Sequence, residues 1–303
     1  MAAGGKTYLA IVNPAAGGGR SRALLGPALE RLRSAGVQID VGETSSSGHA
    51  AELTRSAWAD GYRKFISVGG DGTSYEIVNG LFPLGEHSEA PTLAFLPLGT
   101  GNSFLRDFSD RGVEHSIESL IAGRSRKCDV LRLRHADGVL HYINILSIGF
   151  SADVATLRAR RFSNWGEVGY QTAIFLCLAR FRRRPFPLSV DGQKEVDRRP
   201  CLFLTFNNSK FTGGTMMIAP TAEVDDGLIE FVRWGPIGRV GLIRNLPTLY
   251  DGTHIQHPLA EVRKVRRVDF HLDSPVDVMI DGEVITLYCQ SLDVLPGALN
   301  IVV

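Results

Sequence analysis

Short apolar runs alternate with amphipathic segments through the first half of the chain. Tyr8–Val12 has the pattern of a buried strand, and Asn13–Gly19 is a glycine-rich turn. Arg20–Ser34 predicts a helix, with Leu24, Leu25, Leu29 and Leu32 at helical spacing and a bend near Pro27. Val37–Val41 and His49–Ala59 predict the next strand and helix. Phe65–Val68 predicts a third strand that runs into Gly69-Gly70-Asp71-Gly72-Thr73, followed by a helix through Ile77, Val78 and Leu81. Thr92–Leu96 predicts a fourth, ending in Pro97-Leu98-Gly99-Thr100-Gly101-Asn102. Strand, loop and helix in repetition predict an α/β fold: an open parallel sheet with helices on its faces.

From Cys128 onward the texture changes to alternating stretches such as Cys201–Phe206, Leu228–Val232, Val268–Leu272 and Val276–Ile280, punctuated by Asp-Gly turns. Two helical segments interrupt them, roughly Ser151–Arg184 and Ile237–Leu249. The expectation is an N-terminal nucleotide-binding domain over residues 1–130 and an antiparallel β-rich domain over 131–303. The boundary falls near 125–133, and the last strands have the option of returning to the first domain.

Composition narrows the function classes. The 303 residues carry a formal net charge of +1 with 21% charged residues, which argues against a dedicated nucleic-acid binder and against a disordered chain. Four dispersed cysteines, at 128, 177, 201 and 289, form no C-x-x-C pair. They suggest reduced thiols and a cytoplasmic location rather than a zinc or redox site. The N-terminus does not read as a signal peptide. The longest apolar run, Ala173–Ala179, is too short to span a bilayer, so membrane contact would be peripheral, at the inner face.

Three glycine loops, each after a predicted strand, are the candidate chemistry. In an open parallel sheet ligands bind outside the carboxyl ends of the strands. Glycine there lets main-chain N–H groups approach phosphate oxygens, and a helix start adds partial positive charge. Tight turns alone would also explain such glycines. No G-x-x-x-x-G-K-[ST], complete G-x-G-x-x-G or protein-kinase motif is present. Asp71 is a candidate organiser of Mg²⁺–ATP, although seven Asp-Gly pairs make the dipeptide alone uninformative.

Gly69–Glu76 followed by Val78-Asn79-Gly80-Leu81 resembles the G-G-D-G-T-x-x-E-V-x-N-G-L signature of the diacylglycerol kinase catalytic superfamily, which includes bacterial soluble lipid kinases, sphingosine kinases and ceramide kinases. Asn13–Gly19 is similar to its N-P-x-x-G-x-G, and Pro97–Asn102 to its P-x-G-T-x-N. The likeness continues through Ile148-Gly149-Phe150, Pro220–Leu228 and Asp281-Gly282-Glu283. The resemblance implies a two-domain kinase with its active site in the interdomain cleft. ATP would be contacted by Asn13, Pro14, Ala15, Ala16, Gly17, Thr44, Gly70, Asp71, Gly72, Thr73, Ser74, Tyr75, Glu76 and Thr100. It further implies a magnesium site from the Asp226 side chain and the carbonyls of Glu223 and Leu228, Glu283 as general base with Asp281 beside it, and Asp129 in the surrounding water and metal network. Ser103 departs from the bacterial pattern, where an aspartate follows the asparagine of the third loop. That weakens an assignment to diacylglycerol in particular.

Read by themselves, Asp281-Gly282 and Asp225-Asp226-Gly227 are also good turn sequences. A hairpin tip could project Glu283 toward a substrate, and adjacent carboxylates could hold a hard cation. Arg158, Arg160 and Arg161 with Phe162 and Trp165, and Arg180 and Arg182–Arg184 with Phe181 and Phe186, fit either a solvated helix face or an anionic membrane surface. The leading expectation is an ATP- and Mg²⁺-dependent kinase acting on a membrane-presented lipid. Diacylglycerol, giving phosphatidic acid, is the first acceptor and a sphingoid base or ceramide the second. An NAD kinase-like enzyme with a soluble substrate and a non-catalytic nucleotide- or lipid-binding protein are the rivals. A homodimer is left open, and no nucleic-acid partner is expected.

Overall fold

The computed structural model describes residues 7–99, 102–161, 172–173, 176–177 and 183–303, the side chains of 18–23, 87, 151 and 158–160 excepted. It divides into two units, Met1–Val130 with Leu295–Val303, and Leu131–Val294. The chain passes between them twice.

The first unit begins with β1 (Tyr8–Val12), α1 (Arg20–Ser34), β2 (Ile39–Glu43), α2 (His49–Ala59), β3 (Lys64–Val68), α3 (Asp71–Leu81), β4 (Thr92–Leu96) and α4 (Val113–Ala122). β1 lies between β2 and β3, β4 adds beside β3, and Asn300–Val302 of the C-terminal strand adds beside β4, all parallel. The order is therefore 2-1-3-4 followed by the last strand. The second strand lies two residues later than its sequence pattern suggested, because Gly36 and Val37 close the α1 end by bonding back to Arg33 and Leu32.

Alternation along the strands sends side chains to two covered faces. Ala10, Val12, Ile66, Val68, Ala94 and Leu96 pack with Leu29 and Leu32 of α1 and Ile117 and Leu120 of α4. On the other face the Ser74 hydroxyl of α3 donates to the Ser67 hydroxyl of β3 at 3.0 Å. There α2 and α3 approach so closely that a Cβ on Gly80 would lie 2.7 Å from the Ala51 carbonyl. The glycine of the V-N-G-L segment is thus a helix-packing residue.

The second unit receives the end of β5 (Ser125–His135) and continues with β6 (Gly138–Tyr142), β7 (Ile145–Gly149) and α5 (Phe150–Arg161). There follow β8 (Arg184–Pro185), β9 (Leu188–Val190), β10 (Pro200–Cys201), β11 (Phe203–Asn207), β12 (Phe211–Thr212), β13 (Met216–Met217), β14 (Ile229–Trp234), α6 (Arg239–Asn245), α7 (Thr248–Asp251), β15 (Ala260–Val265), β16 (Arg267–Phe270), β17 (Val276–Ile280), β18 (Glu283–Leu287) and β19 (Cys289–Val302). Its main sheet has six strands in the order 15-14-11-7-17-18, antiparallel throughout. Trp234, Phe203, Ile145 and Leu242 form part of its core.

Two helix expectations here are corrected. Arg184 is in a strand and not at a helix end, and the segment Ile237–Leu249 is broken at Leu246-Pro247, where proline cannot continue the hydrogen-bond ladder. Of the arginine–aromatic segments, the side chains of Arg158 and Arg160, and Phe162, Trp165, Arg180, Phe181 and Arg182 altogether, lie outside the described residues. Among the described residues no disulfide joins the four cysteines, and burial pushes the Cys201 thiol up to about 11 and that of Cys289 to about 12. No helix among the described residues is long and apolar enough to cross a membrane.

Candidate active site

In the first unit the strand order reverses direction between β1 and β3, and that reversal is where open α/β sheets leave a crevice at their carboxyl ends. Two of the glycine loops flank it. The Asn13 amide donates to the Val68 carbonyl at 3.0 Å, tying the ends of β1 and β3 together. The Asn13 side-chain oxygen accepts the Ala15 N–H at 3.0 Å, which shapes the Asn13–Gly17 turn. Thr44 borders the same end through its amide, 2.8 Å from the Val12 carbonyl.

The third loop closes on the second. The Gly99 N–H donates to the Gly69 carbonyl at 3.0 Å, and a Cβ at Gly99 would lie 2.7 Å from the Gly70 nitrogen. Only glycine permits that backbone contact. Helix α3 starts at this junction. Its N-cap, Gly70, is extended and makes no side-chain cap bond, so the first turn keeps the positive end of its dipole at the loop crossing.

Within Gly70–Glu76 the residues divide. Asp71 is the first residue of α3, and its Oδ2 accepts the Ser103 N–H at 3.0 Å. Burial pushes its carboxyl above the usual range, against the pull of the Ser103 amide and hydroxyl and the Phe104 amide. Thr73, Ser74 and Tyr75 turn their side chains into the interior. Glu76 accepts N–H bonds from Gly48 at 2.8 Å and Ala50 at 3.0 Å, capping α2 from a neighbouring helix. A small pocket beside Asp71 is lined by Ser67, Gly69, Ser74, Asn102 and Phe104. Thr100 lies outside the described residues. Asp129 is fully buried, and its Oδ1 accepts the Gly297 N–H at 2.7 Å. It fastens the returning C-terminal strand within this unit.

In the second unit β17 and β18 are joined by Asp281-Gly282. Their φ angles of 46° and 92° are those of a type I′ turn, so the hairpin expectation and the placement of Glu283 hold together. The Asp281 carboxylate is buried and accepts three backbone amides, from Ile143 at 3.2 Å, Asn144 at 3.2 Å and Ile145 at 2.8 Å. Asn144 is itself held by the Ser209 hydroxyl. Burial, with the nearby Asp281 carboxylate second, drives the Tyr142 phenol upward. With its oxygens engaged in this way, Asp281 anchors the turn, while Glu283, two residues on, is exposed at the first position of β18.

The loop 220–228 departs from the metal expectation. Asp226 Oδ1 accepts the Leu228 N–H at 3.0 Å, and its Oδ2 lies 2.7 Å from the Lys264 ammonium. The same ammonium reaches Glu223 Oε1 at 3.2 Å. Among the described residues there is no cluster of three or more His, Cys, Asp and Glu able to hold a metal ion. One carboxylate already neutralised by an ammonium does not fit a resident Mg²⁺, which needs oxygen donors in near-octahedral geometry.

Lys264 was missed in the sequence, although it is one of only six lysines in an arginine-rich chain. Ser103 was noted as a departure and not as a partner of Asp71. The amides of 143–145 carry no side-chain signal.

Two family models match this chain: the diacylglycerol kinase catalytic domain over residues 7–133, and the YegS C-terminal NAD kinase beta sandwich-like domain over residues 144–303. The chain belongs to the diacylglycerol kinase catalytic superfamily, with the bacterial YegS-type second domain, and is a kinase that transfers phosphate to a hydroxyl acceptor. It is 27% identical over 296 residues to a diacylglycerol kinase of Mycobacterium tuberculosis (strain ATCC 25618 / H37Rv), covering 96% of this chain and 93% of that protein. It is 25% identical over 276 residues to a diacylglycerol kinase of Bacillus subtilis (strain 168), covering 90% and 88%. A crystal structure described as a diacylglycerol kinase from Bacillus anthracis str. Sterne shares the fold, with a TM-score of 0.73, 21% identity and coverage of 98% and 96%.

Proposed function

We propose that the protein transfers the γ-phosphate of ATP to a lipid hydroxyl, with diacylglycerol as acceptor and phosphatidic acid as product. The observation that carries the ATP reading is the junction of Gly69-Gly70 with Gly99 at the start of α3, beside the strand reversal at Asn13. Glycine backbone and a helix N-terminus meet there, an arrangement suited to phosphate oxygens. Asn13–Gly17, Thr44, Gly70–Gly72 and Thr100 are the proposed contacts. From the second loop the amides of Thr73 and Ser74 are engaged with the Gly70 carbonyl, and Glu76 supports from behind by holding α2.

Phosphoryl transfer needs positioning and charge neutralisation more than covalent chemistry. Magnesium arriving with ATP supplies the neutralisation on the phosphates themselves. Glu283 is the proposed base, orienting the acceptor hydroxyl and taking its proton, and Asp281 positions it. The acceptor follows the names of the relatives. Ser103, where the bacterial pattern has an acid, keeps a sphingoid base or ceramide as the second acceptor. A peripheral contact with the inner face of a membrane belongs to this reading.

The test is incubation of purified protein with labelled ATP and Mg²⁺ against diacylglycerol, monoacylglycerol, sphingosine and ceramide in mixed micelles, with NAD as the soluble comparison. A labelled lipid is expected. Phosphorylation of NAD alone, or ATP binding without turnover on any acceptor, overturns the reading.

A further inference from the structure

The 220–228 loop concentrates acids. Glu223, Asp225, Asp226 and Glu230 fall within eight residues, with Thr221 just before them. Glu230 is buried on β14 directly opposite Lys264 on β15. Its Oε2 accepts the Thr221 hydroxyl at 2.8 Å, while its Oε1 is buried with no hydrogen-bond partner among the described residues. Desolvation is the main influence on the Glu230 carboxyl and raises it, with Lys264 opposing and Asp226 reinforcing. Four acids in so short a stretch repel one another unless a cation compensates them. The ammonium of Lys264 lies within 3.2 Å of two of them.

An ammonium delivered by a neighbouring strand has two advantages over a dissolved ion. It pays no association entropy, because its strand is already in place, and its effective concentration exceeds that of millimolar Mg²⁺. Mg²⁺ also sheds its water reluctantly and demands a rigid octahedron, whereas an ammonium accepts looser geometry from two carboxylates. A divalent ion bound to Asp226 would face the ammonium across a few ångströms and be repelled.

We propose that Lys264 is the resident cation of the 220–228 loop, and that Glu223 and Asp226 become a divalent-cation site only when that ammonium is removed. The proposal concerns the nucleotide-free protein and stands apart from the ATP and lipid readings.

The experiment is thermal unfolding of the full-length, nucleotide-free protein in EDTA and across a titration of Mg²⁺ or Mn²⁺. The wild type is expected to melt at the same temperature throughout. Lys264→Met is expected to melt lower in EDTA and to recover with millimolar Mg²⁺. Adding Asp226→Asn to Lys264→Met should abolish that recovery. Lys264→Arg, which keeps a cation, should remain indifferent to divalent ions. A wild-type melting temperature that rises with Mg²⁺ and loses the rise in Asp226→Asn overturns the proposal. A Lys264→Met protein indifferent to Mg²⁺ does so equally. Should Lys264→Met not fold, Mn²⁺ binding to the wild type and to Asp226→Asn, followed by electron paramagnetic resonance, decides. Binding lost with Asp226 overturns the proposal, and absence of such binding supports it.

Discussion

Asp191-Gly192 and Asp281-Gly282 are the same dipeptide in the same left-handed backbone, with φ of 48° and 71° in one turn and 46° and 92° in the other. Asp191 is exposed, and one of its oxygens accepts the amides of Arg266 and Arg267. Asp281 is 3% exposed, and its two oxygens serve three amides of another segment. The local chemistry that selects the turn is identical. The difference comes from what surrounds it: water replaces lost bonds at Asp191, whereas at Asp281 nothing does, so the same side chain becomes the fixed support of Glu283. Asp71-Gly72 is a third outcome, opening a helix rather than a turn, with its acid bonded to Ser103.

The largest effect that sharpens this comparison falls on Glu283. Glu283→Gln is expected to lower kcat by about 10²–10⁴-fold while leaving urea stability within about 0.5 kcal/mol of wild type, since the residue is exposed. Wild-type turnover in this variant removes Glu283 from the chemistry and leaves Asp281 supporting an ordinary turn. Asp281→Asn comes next. Asparagine tolerates the left-handed backbone, so the substitution tests the carboxylate, and its amide would face buried N–H donors. A loss of about 2–3 kcal/mol in urea unfolding, together with lower turnover, is expected.

Ser103→Ala is a smaller change. The Ser103 hydroxyl draws the Asp71 carboxyl down against the desolvation that raises it, so its removal lets that carboxyl rise further and hold its proton to higher pH. The acid limb of the kcat/KM–pH profile is expected to move toward neutrality, with activity on that limb about fivefold lower, the worth of one hydrogen bond of about 1 kcal/mol. An unmoved limb means that ionisation of Asp71 does not matter to turnover. The smallest effect is that of Asp191→Asn, expected within about 0.5 kcal/mol in urea unfolding. A loss equal to that of Asp281→Asn would break the comparison outright.

Much of the fold was legible because burial leaves periodic traces. Parallel strands covered on both faces read as continuous apolar runs, and each was followed by a glycine loop and an amphipathic helix. The β-rich texture after residue 130 was legible from alternation and Asp-Gly turns. The candidate site was legible only as motifs. That Gly99 touches Gly70, that Glu76 caps α2, and that Gly80 is a helix contact depend on elements far apart in the chain. The Lys264 ammonium beside Asp226 was not legible, because Lys264 lies 38 positions away on a neighbouring strand, with no local signature.

The amino-acid order by itself determined most of the elements, their α/β and antiparallel classes, the loops at the strand ends and the left-handed turn at Asp281, since these follow from side-chain periodicity and from backbone preferences within a few residues. Tertiary structure alone decided which acids are anchors and which are presented. That depends on which amides, ammonium groups and water molecules the fold brings to each carboxylate, and those partners come from distant strands and loops.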